Sequence, residues 1–142
     1  MKIQSLFLII VLELFQGCLG ADINDHLFGN YYLVAADDDN QLAFSYHTPE
    51  DESTYLTIIP ATVFAVGYNQ NYFIVKQHPY LFAKPPNKQI TNYFILPIKK
   101  DFNFKTMNGL IGPLTLDEFK LKRHELEIPD SLTFSKVYEN LK

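Results

Sequence analysis

The sequence predicts an α+β domain that is mainly β: an antiparallel sheet, a meander of about five to six strands, with one or two short helices at its C-terminal end. Three observations carry this reading. Short runs rich in β-branched and aromatic residues recur between turn clusters from Asn30 to Leu96. The segments between them are short and proline-bearing, unsuited to the crossover helices that a parallel sheet requires. A helix-start signal then appears at Thr115, where the strand pattern has ended.

Residues 30–36 form the first strand candidate, closed by Asp37-Asp38-Asp39-Asn40, whose short polar side chains favour a turn. Residues 41–46 alternate after it and place Leu42, Phe44 and Tyr46 on one face, so the two segments make a hairpin. A polar loop with Pro49 follows over 47–54, then a strand over 55–59 that stops at Pro60. Residues 62–66 and 72–76 flank Gly67-Tyr68-Asn69-Gln70-Asn71, which reads as a second hairpin. Residues 78–89, with Pro79, Pro85 and Pro86, read as a polar, exposed and fairly stiff loop.

Residues 90–96 resume as strand, and Pro97 marks its end or an edge. Lys99-Lys100 reads as the solvated end of that strand, Asn108-Gly109 as a turn, and Gly112-Pro113 as the lead-in to a helix. Thr115-Leu116-Asp117-Glu118 fits a capping box opening an amphipathic helix of about ten residues. Leu116, Phe119 and Leu126 are its apolar positions, Arg123 and His124 come late, and Pro129 ends it. Residues 131–141, with Leu132, Phe134, Val137 and Leu141, suit helix or strand.

The first twenty residues have a different character. One lysine precedes the apolar run Ser5 to Leu12, and small residues follow, which is the layout of a secretory signal. The run is too short to span a bilayer and is interrupted by Glu13. Gly17-Cys18 fits bacterial lipoprotein processing, with Cys18 acylated as the new N-terminus, although Phe15 and Gln16 are unusual in such a site. The alternative is a cut after Gly20, which would discard Cys18. The preferred division is therefore 1–17 signal peptide, 18–28 a polar tether, and 29–142 a single globular domain. Cys18 is the sole cysteine of the 142 residues, so no disulfide framework is expected. Acyl chains there would make the membrane itself a partner, placing the protein in the cell envelope; after the alternative cut it would be periplasmic or secreted and soluble.

Composition narrows the function classes. A net charge of -4 and no basic run argue against nucleic-acid binding. The 9 Tyr and 12 Phe suit cross-strand pairs in a sheet, or a binding face that offers apolar bodies with polar tips. An EF-hand beginning at Asp37 fails, because its sixth and twelfth positions hold Leu42 and Thr48. The four histidines have no metal-binding helical spacing, and neither a G-x-S-x-G elbow nor a phosphate-binding glycine loop occurs. No cofactor or metal is expected. The one catalytic constellation is His47 with Asp51 and Glu52 in a single loop, a set able to do acid–base work if it converges.

The chain resembles a family of small uncharacterised exported bacterial proteins, often lipoproteins, that share a domain of unknown function. The residues carrying the resemblance are Gly17-Cys18, Ile59-Pro60-Ala61-Thr62-Val63, Tyr72-Phe73-Ile74-Val75-Lys76-Gln77 and Tyr93-Phe94-Ile95. Gly112-Pro113-Leu114-Thr115 with Phe119, and Ile128-Pro129-Asp130-Ser131-Leu132, also fit. The resemblance implies an envelope location and assigns no functional residue. The expectation is a non-enzymatic envelope lipoprotein that binds a protein partner or small ligand. The alternatives are an immunity or inhibitor protein of the envelope, or a hydrolase-type enzyme using His47 with Asp51 or Glu52.

Overall fold

The computed structural model describes residues 22–51, 53–99, 103 and 106–142. The leader, Cys18 and Glu52 lie outside the described residues. Among those described, nine strands form two antiparallel sheets rather than one meander. The first sheet has the order β1-β2-β3-β4, from Ile23–Phe28, Tyr31–Ala35, Ala43–His47 and Tyr55–Ile59. The second has the order β8-β7-β6-β5-β9, from Ile111–Leu114, Asn92–Pro97, Tyr72–Gln77, Val63–Tyr68 and Lys136–Val137. One helix, α1 (Leu116–Glu125), precedes β9.

The two-sheet division has a physical cause at Pro60. Proline has no N–H for a ladder and ends β4. The chain then turns through Ala61 and Thr62, and Val63 N–H donates to the Leu42 carbonyl at 2.7 Å as β5 begins in the second sheet. Both hairpins expected from the sequence form: Leu33 pairs with Phe44, and Val66 with Val75.

Strand alternation then builds the layers. Leu27, Tyr31, Leu33, Ala35 and Phe44 from the first sheet meet Val66, Phe73, Val75, Phe94 and Leu96 from the second in the main core. Phe73 lies at its centre, its ring 4.8 Å from Tyr31, 4.9 Å from Phe44 and 5.5 Å from Tyr68. Burial pushes the Tyr31 hydroxyl up to about 12, with the neighbouring Tyr46 adding to the shift. The second sheet is also covered on its outer face, where Ile74 and Ile95 pack with Phe119 of α1, Ile128 and Leu132. The layers are thus sheet, sheet, and helix with the C-terminal segment.

Two segments differ from the sequence reading. Residues 23–28, expected in the tether, form β1 on Tyr31–Ala35. Gly112-Pro113 is part of β8, not a helix lead-in. Residues 131–141, open to helix or strand from the sequence, take the strand form in the two-residue β9, with turns around it. Helix α1 itself opens as expected: Glu118 N–H donates to Thr115 Oγ1 at 3.3 Å, and Thr115 N–H donates to Glu118 Oε2 at 2.8 Å. It ends at Leu126, before Pro129. Replacing Thr115 by Ala removes the cap, and the expected loss is about 1 kcal/mol, read as a lowered melting temperature with an otherwise unchanged circular dichroism spectrum.

Candidate functional site

The outer face of the first sheet carries a ring cluster that register assembles. His26 on β1 pairs with Tyr32 on β2, and His47 on β3 pairs with Tyr55 on β4. Their rings meet across the strands: His26–Tyr32 at 4.9 Å, Tyr32–His47 at 5.9 Å, Tyr32–Tyr55 at 5.4 Å and His47–Tyr55 at 5.1 Å. Asn24 Nδ2 donates to the Tyr55 hydroxyl at 2.9 Å and fixes that ring at the edge. His26 is exposed and the other three are half-buried, so the cluster is a platform open to solvent. His26 Nε2 donates to the Gly29 carbonyl at 2.7 Å, so what the surface offers is its ring faces, which can stack on planar or apolar groups.

His47 therefore sits among aromatic rings. Asp51 lies in the adjoining loop, where its Oδ1 accepts from Ser53 N–H at 3.0 Å and Ser53 Oγ at 2.6 Å, and its Oδ2 from Thr54 Oγ1 at 2.5 Å. Hydrogen bonds from Ser53 and Thr54 hold the carboxyl down at about 2, with the charge of His47 a smaller contribution. A carboxylate so stabilised is ionised throughout the neutral range and shapes its own turn. Because its folded value lies below the ordinary 3.8, the stabilisation is complete above 3.8 and is lost as pH falls through about 2. A carboxyl-carbon NMR titration of Asp51 is expected to show its midpoint near 2; a midpoint near 3.8 would contradict these hydrogen bonds.

The remaining polar clusters are structural. Asp38 accepts from Asn40 N–H at 2.9 Å and caps a single 3-10 turn, Asp39–Gln41, so the acidic run is a turn. Among the described residues no group of three or more potential metal ligands converges. Asp25 of β1 accepts from Lys136 Nζ at 2.5 Å and from the Tyr138 hydroxyl at 2.6 Å, joining an edge of each sheet. Burial opposes its ionisation, but the Lys136 and Tyr138 hydrogen bonds and nearby positive charge outweigh burial and lower its pKa. Beside α1, an open groove of about 780 Å³ is lined by Leu116, Phe119, Lys120, Arg123, His124 and Pro129 among others. Its Arg123 is committed to the Pro129 and Leu132 carbonyls at 2.8 and 2.9 Å, pinning the turn after the helix.

The 78–89 loop departs from its polar reading. His78 is only 3% exposed, stacks on Phe64 at 4.1 Å, and donates from Nδ1 to the Ile90 carbonyl at 2.8 Å. Leu81 and Phe82, in contrast, are 69% and 85% exposed. The signal was present in the sequence as two large apolar residues between Pro79 and Pro85, masked by the prolines and lysines around them.

No curated protein and no solved structure matches the chain. Residues 28–138 match the family described as protein of unknown function, DUF3997, a stretch that runs from the end of β1 to just beyond β9 and takes in both sheets and the helix. The chain belongs to the DUF3997 family of proteins of unknown function.

Proposed function

We propose that the protein is an exported lipoprotein of the cell envelope, held to a membrane through acyl chains on Cys18, and that it is a non-enzymatic binding module. The contact face in this reading is the platform of His26, Tyr32, His47 and Tyr55. The observation that carries the reading is the presentation of four rings from four strands on one open sheet face, where Asp51, the carboxylate expected to work with His47, is spent on its own turn. Aromatic residues on a rigid sheet give a large contact area at low entropic cost. The partner in this reading is a protein or small ligand of the envelope that presents planar or apolar groups.

Two measurements test it. Mass spectrometry of membrane-extracted protein is expected to find acylated Cys18 at the N-terminus; a soluble chain beginning at Ala21 would overturn the anchor. Crosslinking in intact cells is expected to capture a partner that is lost when Tyr32 and Tyr55 are both replaced by Ala. Capture unchanged by that double substitution would reject the platform as the contact face. If the captured partner is a toxin or an enzyme that the protein silences, the module is an immunity or inhibitor protein.

A further inference from the structure

We infer that the 78–91 loop is a membrane-insertion element whose Leu81 and Phe82 side chains enter the outer part of a bilayer containing anionic lipid. The choice of a bilayer as the occupant rests on the anchored-lipoprotein reading given above.

The loop is built to display its tip. Lys84 N–H donates to the Leu81 carbonyl at 3.0 Å, closing a turn in which Ala83 takes φ 65. A residue with a Cβ adopts that left-handed conformation at a cost, so the turn is held by its surroundings. At the base, Asn87 N–H donates to the Pro79 carbonyl at 2.9 Å, and Thr62 and His78 exchange backbone bonds of 3.0 and 2.9 Å. The His78 ring ties the entering strand to Ile90 where the chain leaves. Pro79, Pro85 and Pro86 remove further backbone freedom. Two large apolar side chains are thus fixed in water by a rigid frame, which lowers the ordering cost of burying them elsewhere.

The position of the loop selects a bilayer over a protein pocket. A chain of contacts places the first described residue at the same end of the sandwich. Asp37 N–H donates to Asp22 Oδ1 at 3.4 Å, and Asn140 Nδ2 to Asp39 Oδ2 at 3.2 Å. Lys88 Nζ donates to the Asn140 carbonyl at 3.1 Å, and Thr62 Oγ1 donates to the Asn40 carbonyl. Cys18 precedes Asp22 by four residues, a span of at most roughly 14 Å. Any membrane that Cys18 reaches therefore lies at the loop's end of the molecule.

Charge agrees with this. The chain is net -4, yet residues 53–100 contain no Asp or Glu and five lysines: Lys76, Lys84, Lys88, Lys99 and Lys100. Lys84 lies two residues after Phe82, and Lys88 sits at the base, where its ammonium donates to the Asn140 and Lys142 carbonyls, both at 3.1 Å. A basic residue behind an apolar tip suits anionic headgroups above acyl chains.

The absence of tryptophan supplies the test, since Phe82→Trp gives the chain a single indole. The processed full-length protein is mixed with vesicles of phosphatidylethanolamine and phosphatidylglycerol, with and without brominated acyl chains. The expected result is blue-shifted emission and strong quenching for Phe82→Trp, and neither for Leu121→Trp on the exposed side of α1. Replacing Leu81 and Phe82 by Ala is expected to lower the vesicle partition coefficient about tenfold per side chain. An unshifted, unquenched Phe82→Trp reporter on the vesicles overturns the proposal. A shift that appears only with native membranes, and never with protein-free vesicles, also overturns it and assigns the tip to a protein partner. The anchor is read separately by mass: quenching without acylation removes the anchor and keeps insertion, while acylation without quenching does the reverse.

Discussion

Phe73→Ala is expected to cost about 3–5 kcal/mol, the largest loss of any single side-chain truncation in the main core. Phe73 is fully buried and touches rings from both sheets, with Tyr31 and Phe44 on one side and Tyr68 beside it. Truncation removes the transfer energy of the ring and leaves a cavity between two sheets whose spacing is set by other residues, so collapse is incomplete. A domain of this size holds roughly 6–18 kcal/mol in total. The melting temperature should therefore fall by about 10–20 °C. Phe82→Ala provides the contrast, because its side chain is exposed and its loss should change stability by less than about 0.5 kcal/mol. A Phe73→Ala variant that melts like Phe82→Ala would refute the packing described.

Gly67→Ala is expected to cost about 3 kcal/mol, at the upper end of the usual overpacking range, through a different mechanism. Gly67 lies in β5 opposite Ile74, on the face covered by the C-terminal segment. A Cβ there would lie 1.9 Å from the Thr133 carbonyl oxygen and 3.1 Å from Ile74 Cγ1. The blocking atom is backbone, so the whole segment carrying Leu132 and Phe134 must lift. The Tyr138 N–H bond to the Phe64 carbonyl, 2.8 Å long, anchors the same segment. Amide exchange at Tyr138 should accelerate in Gly67→Ala while exchange across β6 and β7 changes far less. Unchanged protection at Tyr138 would show that the segment does not rest on Gly67.

What the sequence disclosed about this fold was local. The capping box was legible because Thr115 and Glu118 satisfy each other across three residues. The hairpins were legible because their strands and turns are adjacent. The separation into two sheets was not, since β4 and β5 are sequence neighbours and only the Pro60 stop marks the switch. Strand β1 was hidden by Asp25, a carboxylate on the face that Leu27 buries, whose partners lie 111 and 113 residues away. Strand β8 was hidden by Gly112-Pro113, which reads as non-strand. His47 was recognised as a candidate, but its neighbours Tyr32 and Tyr55 come from register across three strands, which no linear spacing displays.

The bond from Asp25 to Lys136 and Tyr138 also governs the order in which the molecule can be completed. Its two halves lie near opposite ends of the chain, and β9 joins β5 across a shorter but still long separation, Ala65 to Val137. Contacts of such long range carry a large loop-closure cost before they return any stabilisation, and they slow folding toward the millisecond-to-second range. The β5–β6 hairpin can form early from its own residues, whereas the bond that joins the β1 edge to the β9 edge forms only once the last strand has arrived.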